Sequence, residues 1–350
     1  WLNPLSSRPP GLADLQLLRA QGANFLRLVH YPADPELLAL CDEAGVLVWQ
    51  EQIQHHPYED WYDIASPEVS VPYLLGVEEM VNNTFNHPSV ILWGFLNEGP
   101  SDEPQNRALW ESIVNRFKEL DTSRLVTFAS AHGPYGANFR SPAVPDLMLD
   151  LVDVVSFNSY PGWYGAPEVP DPAQIAKIIA DQFTAEAAYV DAHYPDKPMV
   201  KGETGAGAIP GWHDPEGFDF IWTEEFQAHV IRATVEYMTG TYQPAADAKM
   251  WGRFTGVAIW MFADARSRTG PDQIMAGRPR QYNNKGVYSE NRVPKLAALA
   301  AADSFQAYER AHPFRDGGWT GQVGGWARGV VDKVSSIGLL KGAMRAEQDQ

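Results

Sequence analysis

Cysteine is nearly absent from this 350-residue chain: Cys41 is the only one. A single thiol cannot close an intrachain disulfide, which excludes the small folds stapled by such bridges. Cys41 falls in the apolar helical stripe Leu37, Leu40, Cys41, Ala44, and reads as a core residue rather than a nucleophile. Basic residues are scarce as well, 27 Lys and Arg against 44 Asp and Glu, for a formal charge of −17. A phosphate-binding face needs clustered cations, so nucleic acid is excluded as a partner. An anionic small molecule would need a local basic pocket to enter this field. No apolar run approaches the ~20 residues of a membrane span, so no membrane partner is expected. Residues 1–10 (WLNPLSSRPP) lack the hydrophobic stretch of a signal peptide. The expectation is a soluble protein, cytoplasmic or secreted/periplasmic. Its oligomeric state stays open, a homo-oligomer included. Internal repeats are missing too.

What is present is apolar mass. The chain is 45% hydrophobic and 12% aromatic, enough to fill a large core as two ordinary domains or one α/β barrel with long loops. Strand-like runs stand at 25–29 (FLRLV), 46–51 (VLVWQE), 90–96 (VILWGFL), 125–129 (LVTFA), 152–157 (VDVVSF), 198–203 (PMVKGE) and 256–262 (GVAIWMF). The run at 90–96 is apolar almost throughout, as a parallel strand buried on both faces requires. Helical patterns fill 11–21, the stretch from Asp34-Pro35 to Ala44 before Gly45, Val71 to Phe85 entered through Pro72, about 104–119, the segment opened by Asp171-Pro172, 221–239, and Pro294 to Arg310. Seven strands, each followed by a helix and with one helix ahead of the first, predict an α/β protein, a (β/α)8 TIM barrel lacking a clear first strand. Residues 1–3 (WLN) read as the remnant of that strand. The barrel is assigned to 1–315. Residues 316–326 (DGGWTGQVGGW) read as a Gly-rich linker, and the tail 316–350 has no functional reading.

Barrel active sites lie at the C-terminal ends of strands. Two glutamates meet that rule: Glu98 in 93–99 (WGFLNEG) and Glu203 in 199–205 (MVKGETG). Retaining glycoside hydrolysis needs two carboxyl groups ~5–5.5 Å apart, one as nucleophile and one as acid and then base. Alone, each motif is weak. Asn-Glu is expected roughly once in several hundred residues, and a glutamate after a strand is ordinarily a solvated loop residue. His55 and His56 have no metal-like spacing with other ligand types and read as loop residues. No metal and no cofactor are expected.

The order of several longer segments is more specific. Residues 22–32 (GANFLRLVHYP), 35–51 (PELLALCDEAGVLVWQE), 86–98 (NHPSVILWGFLNE), 153–164 (DVVSFNSYPGWY), 197–205 (KPMVKGETG), 256–264 (GVAIWMFAD) and 283–295 (NNKGVYSENRVPK) together resemble the catalytic barrel of glycoside hydrolase family 2, most of all its β-glucuronidases. The resemblance runs from about Gly11 to Arg310. It implies a retaining exo-β-glycoside hydrolase acting on a carbohydrate, with Glu98 as acid/base and Glu203 as nucleophile. It further implies that Asn97 bonds the sugar 2-hydroxyl, that Tyr160 donates to Glu203, and that Arg27 adds positive charge beneath it. His30 would line the sugar site and Trp260 would wall a sugar face. Asn283 and Lys285 fit the family's Asn-x-Lys motif for the C6 carboxylate, with Arg278 and Arg280 just upstream. An ammonium beside an amide donor suits a carboxylate through charge-assisted hydrogen bonds. Bland alternatives remain for each: Arg27 as a structural ion-pair partner, Tyr160 and Trp260 as packing, His30 as a satisfied loop residue, 278–285 as a basic surface loop. Two departures stand out. Thr204 follows the nucleophile where the family usually has tyrosine, and the family's N-terminal β-sandwich and immunoglobulin-like domains are not in the sequence. A β-galactosidase or another family 2 exo-glycosidase is the alternative within the class; a non-catalytic carbohydrate-binding barrel or a scaffold is the alternative outside it.

Overall fold

The computed structural model describes residues 11–52, 66–133, 145–164, 166, 171–214, 221–241, 251–267 and 279–311. Residues 1–3, His55 and His56, Arg278 and the tail 316–350, together with the side chain of Arg280, lie outside the described residues.

The alternation of strands and helices is present as expected from the sequence. After helix α1 (Leu12–Ala20) come β1 (Phe25–Leu28), α2 (Pro35–Ala44), β2 (Leu47–Glu51), α3 (Pro67–Thr84), β3 (Val90–Asn97), α4 (Arg107–Leu120), β4 (Leu125–Ala129), β5 (Val155–Asn158), α5 (Pro172–His193), β6 (Met199–Thr204), α6 (Glu224–Met238), β7 (Phe254–Ile259) and α7 (Leu296–Ala311). A two-residue antiparallel ladder, β8 (Ala265–Arg266) with β9 (Tyr282–Asn283), follows the seventh barrel strand. The capping chemistry explains several boundaries. The Asp34 carboxylate accepts from the Glu36 amide at the start of α2, and Gly45 ends that helix at φ 65°, the left-handed position glycine takes without penalty. Asp171 accepts from the Gln174 amide at the start of α5.

Two expectations need correction. Helix α3 begins at Pro67, not near Val71, and Pro72 lies inside it. Ser66-Pro67 is the true entry, because proline at the first turn forgoes an N–H that has no partner there anyway. The β4–β5 connection is not a helix among its described residues, which form turns. Its exit is instead tied down by the Asp146 carboxylate, which accepts from Ser101 Oγ (2.6 Å), Ser130 Oγ and the Met148 amide.

All barrel strands pair in parallel, as β1-β2-β3-β4 and β5-β6-β7. The two groups meet at Ser130, whose amide donates to Ser156 O (3.0 Å) and whose carbonyl accepts from Asn158 N (2.8 Å). Among the described residues the ladder does not close between β1 and β7. These two strands face each other across an apolar groove lined by Leu15, Leu18, Leu26, Ile259, Phe262 and Phe305. Two hydrophobic layers hold the barrel. Trp49, Leu92, Ala129, Val154 and Val200 pack inside the ring of strands. Leu38, Trp93, Phe95, Phe117, Phe128, Ile179, Phe183 and Val230 pack between strands and helices. A buried ion pair crosses the outer layer, from Lys201 on β6 to Glu186 on α5.

The interior layer is tight where it supports the mouth. A Cβ at Gly94 on β3 would stand 2.2 Å from Trp49 Nε1 and 2.9 Å from Glu51 Cγ. Gly94→Ala is therefore expected to lower stability by about 1–3 kcal/mol through overpacking and to shift the near-ultraviolet signal of Trp49. Urea denaturation and near-ultraviolet circular dichroism check this, and an unchanged midpoint would mean that Trp49 has room to move.

Candidate active site

Because the strands are parallel, their C-terminal ends share one mouth. Arg27 stands on β1, Glu51 closes β2, Asn97 ends β3 with Glu98 just beyond, Asn158 ends β5 with Tyr160 two residues on, Glu203 lies near the end of β6, and Trp260 follows β7. Strand alternation alone would not aim all of these inward. Leu92 and Gly94 face the interior of the barrel, so by a period of two Asn97 should face outward. The β3–β4 register shifts between Gly94 and Asn97, and the β5–β6 and β6–β7 registers shift next to Glu203. Such irregularities re-aim side chains, and they turn Asn97 and Glu203 into the mouth. Glu98 takes φ 52°, a left-handed conformation uncommon outside glycine, and its amide donates to Ala129 O at 2.8 Å.

Arg27 joins these groups. Its Nε donates to Glu51 Oε1 (2.6 Å), Nη1 to Glu203 Oε1 (2.7 Å) and to Gly202 O (3.3 Å), and Nη2 to Asn97 Oδ1 (2.9 Å). The guanidinium lies 4.5 Å from the centre of the Trp49 ring. Burial by itself would lower the Arg27 pKa, but the Glu51 and Glu203 carboxylates outweigh it and leave it raised. Burial pushes the Glu51 carboxyl up, and Arg27 with His30 more than reverses that, so it ends below its ordinary value.

The Glu203 carboxylate is held at both oxygens, Oε1 by Arg27 and Oε2 by the Tyr160 hydroxyl. Two donors on two oxygens suit an acceptor-only carboxylate. Tyr160 is buried, and burial together with Glu203 and Glu98 raises its pKa well above the usual tyrosine value, so it stays a donor. Glu98 is held differently. Its Oε1 accepts from the neutral amide of Asn158 (2.9 Å), which also donates to Asn97 Oδ1 (2.9 Å). The two glutamates thus sit in one chain of contacts, Glu203–Arg27–Asn97–Asn158–Glu98, with a cation beside the first and an amide beside the second.

Lys285 lies beside the ring of Tyr160, whose hydroxyl donates to Glu203. Its Nζ stands 5.5 Å from the centre of the Tyr160 ring, 5.2 Å from Trp163 and 5.1 Å from Tyr164, and donates to Tyr164 Oη at 3.2 Å. Three aromatic rings surround this buried ammonium. Asn283 is half-buried beside it, its Oδ1 accepting from the Lys285 amide at 3.3 Å. His30 Nδ1 lies 3.1 Å from Glu51 Oε2, and its ring stacks on Trp260 with centroids 5.6 Å apart. Of the residues singled out from the sequence, Arg27, His30, Asn97, Glu98, Tyr160, Glu203, Trp260, Asn283 and Lys285 are thus brought together here. Glu51, Asn158, Trp163 and Tyr164 are there too and were not singled out. The strand-end rule that located Glu98 applies equally to Glu51 and Asn158; Trp163 and Tyr164 carry no local signal beyond being aromatic. Thr204 is buried, and its carbonyl accepts from Trp260 N (2.8 Å), which ties β6 to the turn bearing the tryptophan. Among the described residues no three His, Cys, Asp or Glu side chains are grouped to hold a metal ion.

Comparison with known proteins gives a consistent picture. The family model described as "Glycosyl hydrolases family 2, TIM barrel domain" matches residues 10–307. The β-glucuronidase of Mus musculus is 31% identical over 301 residues, which is 83% of this chain and 40% of the mouse protein. The β-glucuronidase of Streptococcus agalactiae is 30% identical over 296 residues, 81% of this chain and 44% of that protein. The chain thus spans well under half the length of these curated relatives. Among solved structures, a family 2 β-galacturonidase from Eisenbergiella tayi bound to galacturonate superposes with a TM-score of 0.69 at 31% identity, covering 84% of this chain and 46% of that one. A Ruminococcus gnavus β-glucuronidase in complex with D-glucaro 1,5-lactone shares the fold, with a TM-score of 0.68 at 24% identity over 87% of this chain and 48% of that one.

The Arg27 side chain is only 2% exposed, with Glu51 at 0% and Glu203 at 6%. Arg27→Met is expected to cost about 3–5 kcal/mol, because it leaves two carboxylates buried without their cation. Denaturant titration checks this, and a loss under about 1 kcal/mol would mean that water reaches the pair.

Proposed function

The chain belongs to glycosyl hydrolase family 2 as its TIM barrel domain, and from that premise we propose that it hydrolyses β-D-glucuronides with retention of configuration, through Glu98 and Glu203. The carrying observation is the position of Lys285: a buried ammonium beside the ring of Tyr160, whose hydroxyl donates to Glu203. In a strongly acidic chain, a cation at that depth gives a sugar carboxylate a partner that a neutral sugar does not need. Residues 1–315 are assigned to this catalytic unit.

In this reading Glu203 attacks the anomeric carbon and forms the glycosyl-enzyme, while Glu98 gives a proton to the departing glycosidic oxygen. Glu98 then takes a proton from water as that water cleaves the intermediate. The surroundings support the division of labour. Arg27 and Tyr160 hold both Glu203 oxygens in place for attack. Glu98 accepts from the Asn158 amide, which orients its carboxyl group at the same mouth. Asn97, anchored by Arg27 and Asn158, is placed to meet the 2-hydroxyl. The stacked His30 and Trp260 rings offer a flat wall to a sugar face. Lys285 with Tyr164, and Asn283 beside them, take the C6 carboxylate.

A second reading is favoured by the E. tayi enzyme, a β-galacturonidase. Galacturonides carry the same C6 carboxylate and differ from glucuronides at C4, so Lys285 serves either. Turnover of matched p-nitrophenyl β-glucuronide and β-galacturonide separates the two.

Glu203→Gln is expected to abolish nearly all turnover with the fold intact, since an amide cannot form the covalent intermediate. Glu98→Ala should harm substrates with poor leaving groups far more than activated aryl glycosides, because only the former need the proton. Equal losses on both substrate types would remove Glu98 from the acid role. Lys285→Ala should cost roughly 2–4 kcal/mol in transition-state binding of a glucuronide, or about 30- to 1000-fold in kcat/KM. The quantity to measure is the ratio of kcat/KM for matched aryl glucuronide and galactoside. If both fell equally, or neither fell, the uronide assignment would be lost and an unspecified family 2 β-glycosidase would remain.

A further inference from the structure

Lys285 does not hold its own place. The peptide groups on either side of it are bonded to a second buried cation and its partner. Lys295, just ahead of α7, has a side chain only 1% exposed, and its ammonium uses three donors on three targets: Ala208 O (2.8 Å), Asp264 Oδ1 (2.8 Å) and Asn284 O (3.0 Å). Asp264 Oδ1 also accepts from the Gly286 amide at 2.9 Å. The carbonyl before Lys285 is thus bonded to Lys295, and the amide after it to Asp264.

Further backbone groups of this segment are bonded too. Asn284 O accepts a second bond from Ala208 N (2.9 Å), Lys285 O accepts from Met261 N (2.9 Å), and Gly286 O accepts from Gln227 Nε2 (3.0 Å). Gly286 runs so close to the neighbouring backbone that a Cβ there would lie 2.1 Å from Asp264 N and 2.4 Å from Tyr288 O. The segment between Asn284 and Gly286 has no slack on the side of the ion pair.

We propose that Lys295 and Asp264 are positioning residues: their buried pair fixes the backbone of the Asn283–Lys285 segment, holds the Lys285 ammonium among its aromatic rings, and so sets the preference for an anionic sugar. The last part rests on the assignment of Lys285 to the substrate carboxylate. Burying the pair is not an economical way to gain stability, since an apolar pair of similar volume often serves as well or better. Burial pushes the Asp264 carboxyl up to about 7 even with Lys295 opposing it, and it lowers the Lys295 pKa. What the pair supplies is direction. One ammonium links the segment after β6, the segment between β7 and β8 and the Asn-x-Lys segment, three separate pieces of chain.

The test uses Lys295→Met, which keeps most of the volume and removes the donors, in parallel with Lys285→Ala. Lys285 is only 3% exposed, so in the unaltered protein it should resist acetylation by a small amine-reactive ester, read peptide by peptide by mass spectrometry. Lys177 is exposed on α5 and serves as the internal standard. In folded Lys295→Met the labelling rate of Lys285 relative to Lys177 should rise by about tenfold or more, as local opening replaces a fixed segment. The glucuronide-to-galactoside ratio of kcat/KM should fall by about tenfold or more, carried mainly by KM for the glucuronide. An unchanged labelling rate overturns the proposal whatever the kinetics. A raised labelling rate with an unchanged ratio also overturns it, provided Lys285→Ala collapses that ratio. If Lys285→Ala itself leaves the ratio intact, the uronide assignment and the specificity role fall together, and the labelling still decides whether the pair holds Lys285. Should Lys295→Met fail to fold, Asp264→Asn keeps the acceptor oxygen and removes the charge; it should move labelling and ratio in the same direction by less, and no movement in either overturns the proposal.

Discussion

Arg27, Glu51 and Glu203 are buried together at the mouth of the barrel, and both carboxylates there depend on the one cation. A carboxylate moved from water into packed protein loses several kcal/mol of hydration, and attraction in the interior recovers this only with close geometry and further hydrogen bonds. Both conditions are met here. The guanidinium forks to both carboxylates and to Asn97 and lies on the Trp49 ring. That requirement propagates outward. Glu51 positions His30, His30 stacks on Trp260, Asn97 shares Asn158 with Glu98, and Glu203 takes the Tyr160 hydroxyl.

Positive charge is the scarce material in this molecule, and it is buried where anions gather. Arg27 stands beneath Glu203, Lys285 stands behind Tyr160, and Lys295 braces the segment that carries Lys285. The three are chemically distinct. Arg27 is a fork that fixes two carboxylates at once. Lys285 is a compact charge surrounded by π faces, suited to a single anionic group. Lys295 spends its donors on two backbone carbonyls and one carboxylate. A net charge of −17 sets the field of the whole surface, while these three cations set the field inside the mouth.

The parts of the fold that follow local rules were readable in advance. Apolar runs marked all seven barrel strands to within a few residues, because a strand buried on both faces must be apolar along its length. Caps at Asp34, Gly45 and Asp171 marked helix ends, because the side chain or the glycine satisfies the helix terminus locally. The entry of α3 was misread because two prolines compete there, and only the packing of Tyr73 and Val77 into the core shows that the helix already runs through Pro72. The β4–β5 connection was misread because a tie between Asp146 and two distant serines has no periodic signature.

By itself the sequence determined the α/β class, the strand order along the chain, and the presence of Glu98 and Glu203 at strand ends, since each depends on residue type and on neighbours a few positions away. Only the tertiary structure decided which face those residues occupy. Register shifts in β3 and β6 turn Asn97 and Glu203 into the mouth against the alternation, and a shift of one residue is invisible in composition. It also decided which groups share a charge. Arg27 and Glu203 are separated by most of the barrel in sequence and by 2.7 Å in space, and Lys285 meets Tyr164 only because the strands bring both to one rim. Burial raises the energetic stake of such meetings from the small value of a surface pair to the large value of a desolvated one. Burial belongs to the folded chain and not to any segment of it.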